Sequence, residues 1–203
     1  MDNEYTRSYG TYRKRRSAAW QCLIDCQIDR LPVSVSHITR QMNIGLYEYG
    51  ANAKLISGSG LGELLHASGF AYMDPNGKMM IFYNEALSRQ EIRCTIAHEL
   101  GHVLLGHMGA DAPLGQLLSP ADSKLEMEAD SFAVRILAPS CVLWGKGAYT
   151  AKAISSLCDI SMDFAKNRAS RMRILRKRNV WLKAPLEQQV YRQFGFPAPR
   201  KEQ

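Results

Sequence analysis

The chain has no Cys-x-x-Cys pair. Its five cysteines, at 22, 26, 94, 141 and 158, are odd in number and scattered, which does not make a disulfide framework, and Cys22 and Cys26, one helical turn apart, have no second pair with which to build a thiolate zinc site. They read as reduced, packed thiols. No apolar run reaches the ~20 residues that span a bilayer. The opening "MDNEYTRSYGTYRKRRSAAW" has basic residues but no apolar segment behind them. It therefore lacks a secretory pattern, and the expected location is the cytoplasm, with no membrane partner. "SGSGLG", residues 57–62, lacks the Gly-Lys-Ser/Thr ending of a phosphate-binding loop and reads as a turn. Acidic residues are scarce in one region: Phe164 to Gln203 holds 11 basic and 2 acidic residues, a net +9 that leaves the remainder of this +7 chain near −2. An electrostatic partner would meet the C-terminal part.

What is present suits one globular domain, or one domain with an appendage: 203 residues, 46% hydrophobic and 22% charged. "RSAAWQCLIDCQIDR" and "SVSHITRQMN" have helical spacing, and "GLYEYG" reads as a strand. "FAYMDPNGKMMIFY" predicts a β-hairpin turning at Asp74–Gly77. Ser88 with Glu91 three residues on is a capping box, so a helix starts there and ends near Gly106 or Gly109. A polar loop with Pro113 and Pro120 leads to a helix in "SKLEMEADSFAVRILAP", stopped by Pro139. Helical segments follow at Ala151–Cys158 and Met162–Lys177, and "FGFPAPRKEQ" reads as a mobile tail.

The chemistry concentrates in "CTIAHELGHVLLGH", Cys94 to His107. On a helix with His98 at 0°, His102 falls at about 40° and Glu99 at about 100°, while Ile92, Ile96, Leu100, Val103 and Leu104 fall between about 120° and 240°. One face is buried and the adjacent one is chemical. Two imidazoles one turn apart can reach one Zn2+, and the carboxylate beside the first can hold a water without being a ligand. A third ligand is needed. His107 misses the metzincin spacing, which would put Gly and His where Leu105 and Met108 stand, and on a continued helix it points about 180° from His98. In "LEMEAD", Glu126 and Asp130 share a helix face. Glu126 can close the site and Asp130 can orient a liganding imidazole, while Glu128 points elsewhere. Tyr83, on the strand leading to the first helix, is a candidate oxyanion donor. Its strand, Met80 to Tyr83, is a candidate edge for an extended substrate.

"IFYNEALSRQEIRCTIAHELGHVLLGH", "EMEADSFAVRILAPS" and "AISSLCDISMDFAKNRASRM" together resemble the ImmA/IrrE family of zinc metallopeptidases, from about Ala18 to about Arg178. The resemblance implies an α+β, small zincin-like fold in which a short β-sheet lies beside the HExxH helix and a second ligand-bearing helix, with a helical C-terminal part. Residues 1–145 would form the peptidase core, 146–180 a helical pair of helix-turn-helix outline, and 181–203 a basic tail. It implies His98, His102 and Glu126 as ligands of Zn2+, Glu99 as the base, and a gluzincin-like endopeptidase that cleaves a DNA-binding repressor or other transcriptional regulator of a phage or mobile element. A second class stays open: a DNA- or partner-binding regulator with a structural or inactive zinc site, using Arg168, Arg171 and Arg173 for contact.

Overall fold

β-Favouring residues on both sides of Asp74–Gly77 form an antiparallel hairpin in the computed structural model, which describes residues 16–58, 60–74, 76–107 and 123–197. The Asp74 carboxylate accepts the backbone N–H groups of Asn76 and Lys78, so the turn supplies its own hydrogen bonds. The hairpin strands are β2 (Gly69–Met73) and β3 (Met79–Tyr83), and β1 (Gly45–Glu48) lies parallel to β3 on its other side. The order β1-β3-β2 makes β3 the central strand. Both its sides are used, so the expectation that Met80–Tyr83 offers an edge to a substrate is corrected: among the described residues the edges of this sheet belong to β1 and β2.

The chain is a mixed α+β protein that divides into two compact units: Val35–Ala133, and Met1–Ser34 with Val134–Gln203. The first contains the sheet, α2 (Val35–Gln41), α3 (Tyr49–Gly58), a 3-10 turn (Gly62–His66) and α4 (Arg89–Leu104). Its core under the sheet is Tyr49, Ile56, Leu64, Phe70 and Phe82, with the Phe70 and Phe82 rings stacked at 5.0 Å. Helix α5 (Ser123–Leu137) begins in this unit and ends in the other, halted before Pro139.

Ser88 and Glu91 form the reciprocal capping box that opens α4: the Ser88 hydroxyl accepts from Glu91 N–H and the Glu91 carboxylate from Ser88 N–H. Ser88→Ala leaves one N-terminal donor to water. We expect it to destabilise the protein by ~1 kcal/mol, read as a lower urea midpoint at constant slope; an unchanged midpoint would show that this cap contributes nothing.

The second unit contains α1 (described over 16–25), α6 (Ser140–Gly145), α7 (Ala151–Cys158), α8 (Met162–Arg178) and α9 (Pro185–Gln193). The basic tail expected over 181–203 is corrected here. Pro185 pre-sets the first turn of α9, and Trp181, Leu182, Val190, Tyr191 and Phe194 are buried. The Gln193 amide donates to the carbonyls of Leu23 and Ile28, tying α9 to the N-terminal helix. Residues 16–34 thus group with 134–197, whereas the sequence reading drew its boundary at 145. Thr150 and Ser161 cap α7 and α8, the helical pair the sequence predicts. Among the described residues no helix is long and apolar enough to cross a membrane. The polar loop with Pro113 and Pro120 lies outside the described residues, as do the last six residues of the expected tail.

Candidate metal centre

Helical geometry puts His98 and His102 one turn apart on α4, and α5 brings Glu126 and Asp130 to the same place. His98 Nε2 and His102 Nε2 are 3.0 Å apart. Glu126 Oε2 lies 3.1 Å from the first and its Oε1 3.3 Å from the second. These three side chains can hold a metal ion together. Asp130 Oδ1 is 2.8 Å from His98 Nδ1, on the far side of the ring from the cluster. A carboxylate can only accept, so His98 Nδ1 carries the proton and Nε2 turns its lone pair toward Glu126 and His102.

The close approach of the helices depends on Gly101, between the two histidines. A Cβ there would sit 2.9 Å from Ala129 Cα and 3.0 Å from Ala129 O. Ala129 lies between Glu126 and Asp130 in the chain, so this close approach falls at the ligands.

Charge follows from this packing. Burial alone would lower the His98 pKa, but the Asp130 hydrogen bond and the charges of Glu99, Asp130 and Glu126 outweigh it and raise it. His102 is pushed down to about 4 by burial and by His98 and His107. Glu99, half-buried on the neighbouring face, is pushed up to about 7 by burial, against the attraction of His98 and a hydrogen bond from the Ala71 backbone N–H.

Other expected residues fall elsewhere. The Tyr83 hydroxyl donates to Glu48 Oε1 at 3.1 Å, across the β1–β3 pair, and Glu48 and Glu85 are the charges that act on it. Its proton is committed there. Arg168 is 5% exposed and donates through Nε to the Ala138 carbonyl at 2.7 Å, so it is a structural cation inside the C-terminal unit and not a surface contact. Arg173 is exposed and Arg171 half-exposed. Two residues that the sequence reading set aside reach the cluster instead: His107 Nδ1 lies 3.2 Å from His102 Nδ1, and Glu128 Oε2 lies 3.4 Å from His107 Nε2.

A small mixed sheet and two crossing helices that gather a His/His/Glu cluster define an α+β protein with a candidate metal centre. The model of the Peptidase_M78 family, the IrrE N-terminal-like domain, matches residues 63–170, and the chain belongs to this family of peptidases. The matched span contains α4 and α5 entire. No curated protein matches the chain.

Proposed function

We propose that the chain is a zinc-dependent endopeptidase of gluzincin type, with a zincin-like arrangement of α4 and α5. Its substrate is a DNA-binding repressor or other transcriptional regulator of the kind found on phages and mobile elements. The observation that carries this reading is the spacing of the donors. Ligand atoms ~2.0–2.1 Å from a tetrahedral zinc stand about 3.3 Å from one another; here the two imidazole Nε2 atoms are 3.0 Å apart, and the Glu126 carboxylate sets one oxygen 3.1 Å from the first and its other oxygen 3.3 Å from the second. Three ligands also leave the fourth position open, as a catalytic site requires.

Held by His98, His102 and Glu126, the ion would supply Lewis-acid polarisation of the scissile carbonyl and acidify an adjacent water. Glu99 takes that water's proton and later delivers it to the leaving amine. The Ala71 N–H that holds this carboxylate belongs to β2 and turns away from β3. In an antiparallel strand the carbonyl of the same residue points the same way, so the outer edge of β2 runs beside the base. An extended peptide pairing there by main-chain hydrogen bonds would bring a backbone carbonyl to Glu99. The support for a regulator as substrate is the family resemblance. The +9 segment adds charge for drawing in an acidic or DNA-bound partner: α8 exposes Lys166, Arg173, Lys177 and Arg178.

The same basic surface favours the second reading, a DNA- or partner-binding regulator with a structural metal site. Mapping new protein N-termini by mass spectrometry separates the two. A bacterial lysate treated with the zinc-loaded protein should gain a small set of neo-N-termini that Glu99→Gln does not produce. Identical N-termini with both proteins would leave the regulator reading.

Metal content tests the site itself. Purified protein should carry about one zinc per chain, falling by about tenfold or more in His98→Ala and Glu126→Ala. Full retention in Glu126→Ala would remove that carboxylate from the ligand set.

A further inference from the structure

We propose that His107 and Glu128 are positioning residues that set the tautomer of His102, forming a relay His102–His107–Glu128 that does for the second imidazole what Asp130 does for the first. The proposal rests on the reading of His98, His102 and Glu126 as a zinc site and adds two residues to it.

The relay begins with a helix cap. Gly106 has φ +73, a left-handed conformation that costs glycine little. Gly106 N–H donates to Val103 O at 3.3 Å and His107 N–H to His102 O at 3.0 Å. These two bonds are the Schellman pattern, which satisfies the last carbonyls of α4 and doubles the chain back on it. The imidazole of His107 is thereby carried back to that of His102, edge to face, with ring centroids 5.1 Å apart.

Proton counting then assigns each nitrogen. Glu128 is a carboxylate 3.4 Å from His107 Nε2, and the two side chains are 10% and 4% exposed. A carboxylate accepts, so His107 Nε2 carries a proton. A neutral imidazole has only one, which leaves His107 Nδ1 as a bare acceptor. It faces His102 Nδ1 at 3.2 Å, and two ring nitrogens at that distance need one proton between them. That proton sits on His102 Nδ1. His102 Nε2 is then unprotonated, with its lone pair toward His98 Nε2 and Glu126 Oε1. Both imidazoles thus aim Nε2 at one point, each held by a hydrogen bond from its Nδ1.

The test is zinc affinity, measured by competition with a chelator, in three variants beside wild type. His107→Leu removes the acceptor and should raise the zinc Kd ~10–100-fold. His107→Asn places an amide oxygen where Nδ1 stood and should stay within about threefold of wild type. Rescue by asparagine is the outcome that mere space-filling by His107 would not give. Long-range proton–nitrogen NMR of the zinc-loaded wild type should show His102 protonated at Nδ1. An Nε2-protonated His102, a His107→Leu affinity equal to wild type, or asparagine failing as badly as leucine would each overturn the relay. His102→Ala is the control on the underlying reading. If it binds zinc as tightly as wild type, the metal site itself is misassigned and the relay falls with it. If it loses zinc while His107→Leu does not, only the relay is wrong.

Discussion

Glu99→Gln is expected to slow peptide cleavage by ~10²–10⁴-fold, the usual contribution of a positioned general base, while zinc content and fold persist. Glutamine has the size of glutamate, and its amide oxygen can still accept the Ala71 N–H that holds the side chain. The metal donors are other residues, so nothing the ion needs is removed. The rate is to be measured on a peptide spanning a mapped cleavage site, with zinc measured in the same sample. Equal rates at equal zinc would end the case for Glu99 as base.

The same substitution has a second signature, in the chelator-treated protein. Burial raises the Glu99 carboxyl from 4.5 to about 7. A carboxyl whose folded pKa is raised binds its proton more tightly in the native state, so its contribution to stability is greatest at low pH and declines as pH climbs from about 4.5 through about 7. Glu99→Gln has no proton to lose there. Its thermal midpoint should therefore fall less than that of the wild type between about pH 5 and pH 8. A variant that loses activity and also loses stability over that range would point to a structural role for the carboxylate.

Local geometry made much of this site legible in the sequence. The capping box, the i and i+4 histidines, and the pairing of Glu126 with Asp130 depend only on neighbours within a helix, and each is found where that spacing predicts. What was not legible depended on a break in the pattern or on distant contacts. His107, set aside as a ligand by the metzincin spacing and by a helical wheel continued through Gly106, is not among the three donors; its place beside His102 follows from the left-handed Gly106 that ends the helix. Glu128 does point away from Glu126, as predicted, but that direction is into a buried place shared with His107. The central position of β3 comes from a parallel pairing with β1 more than thirty residues earlier, which no local pattern encodes.

Charge misled the reading in the C-terminal unit, where the corrective signal was nonetheless present. Arg168 was grouped with its basic neighbours, yet Ala165, Arg168, Ala169 and Met172 are spaced i, i+3, i+4 and i+7, and all four are buried. Helix α9 was hidden in the same way. Glu187, Val190, Tyr191 and Phe194 repeat that spacing behind a proline at the first turn, and all are buried. The Glu187 carboxylate accepts the Lys183 N–H, which lets an acidic residue sit on the inner face. In a strongly basic segment, apolar period is the better guide to burial than net charge.

Gly101→Ala sets two opposed effects against each other. In an isolated helix alanine is favoured over glycine by ~0.8–1 kcal/mol. Here the added methyl carbon would lie 2.9 Å from Ala129 Cα, 3.0 Å from Ala129 O and 3.3 Å from Ala129 Cβ. Two of these three atoms are backbone and cannot rotate away, so α4 and α5 must part. Overpacking of this kind costs ~1–3 kcal/mol and should exceed the propensity gain. The larger consequence falls on the metal. Gly101 adjoins His102, and Ala129 lies between Glu126 and Asp130, so the displacement is applied where the donors converge. Metal–ligand distances tolerate about 0.2 Å, less than the separation needed to relieve the clash. We expect zinc affinity to fall by about tenfold or more, with a lower urea midpoint and with cleavage partly restored by added zinc. Wild-type zinc affinity in this variant would mean that the two helices can move apart without carrying their ligands, and that the glycine serves the helix crossing alone.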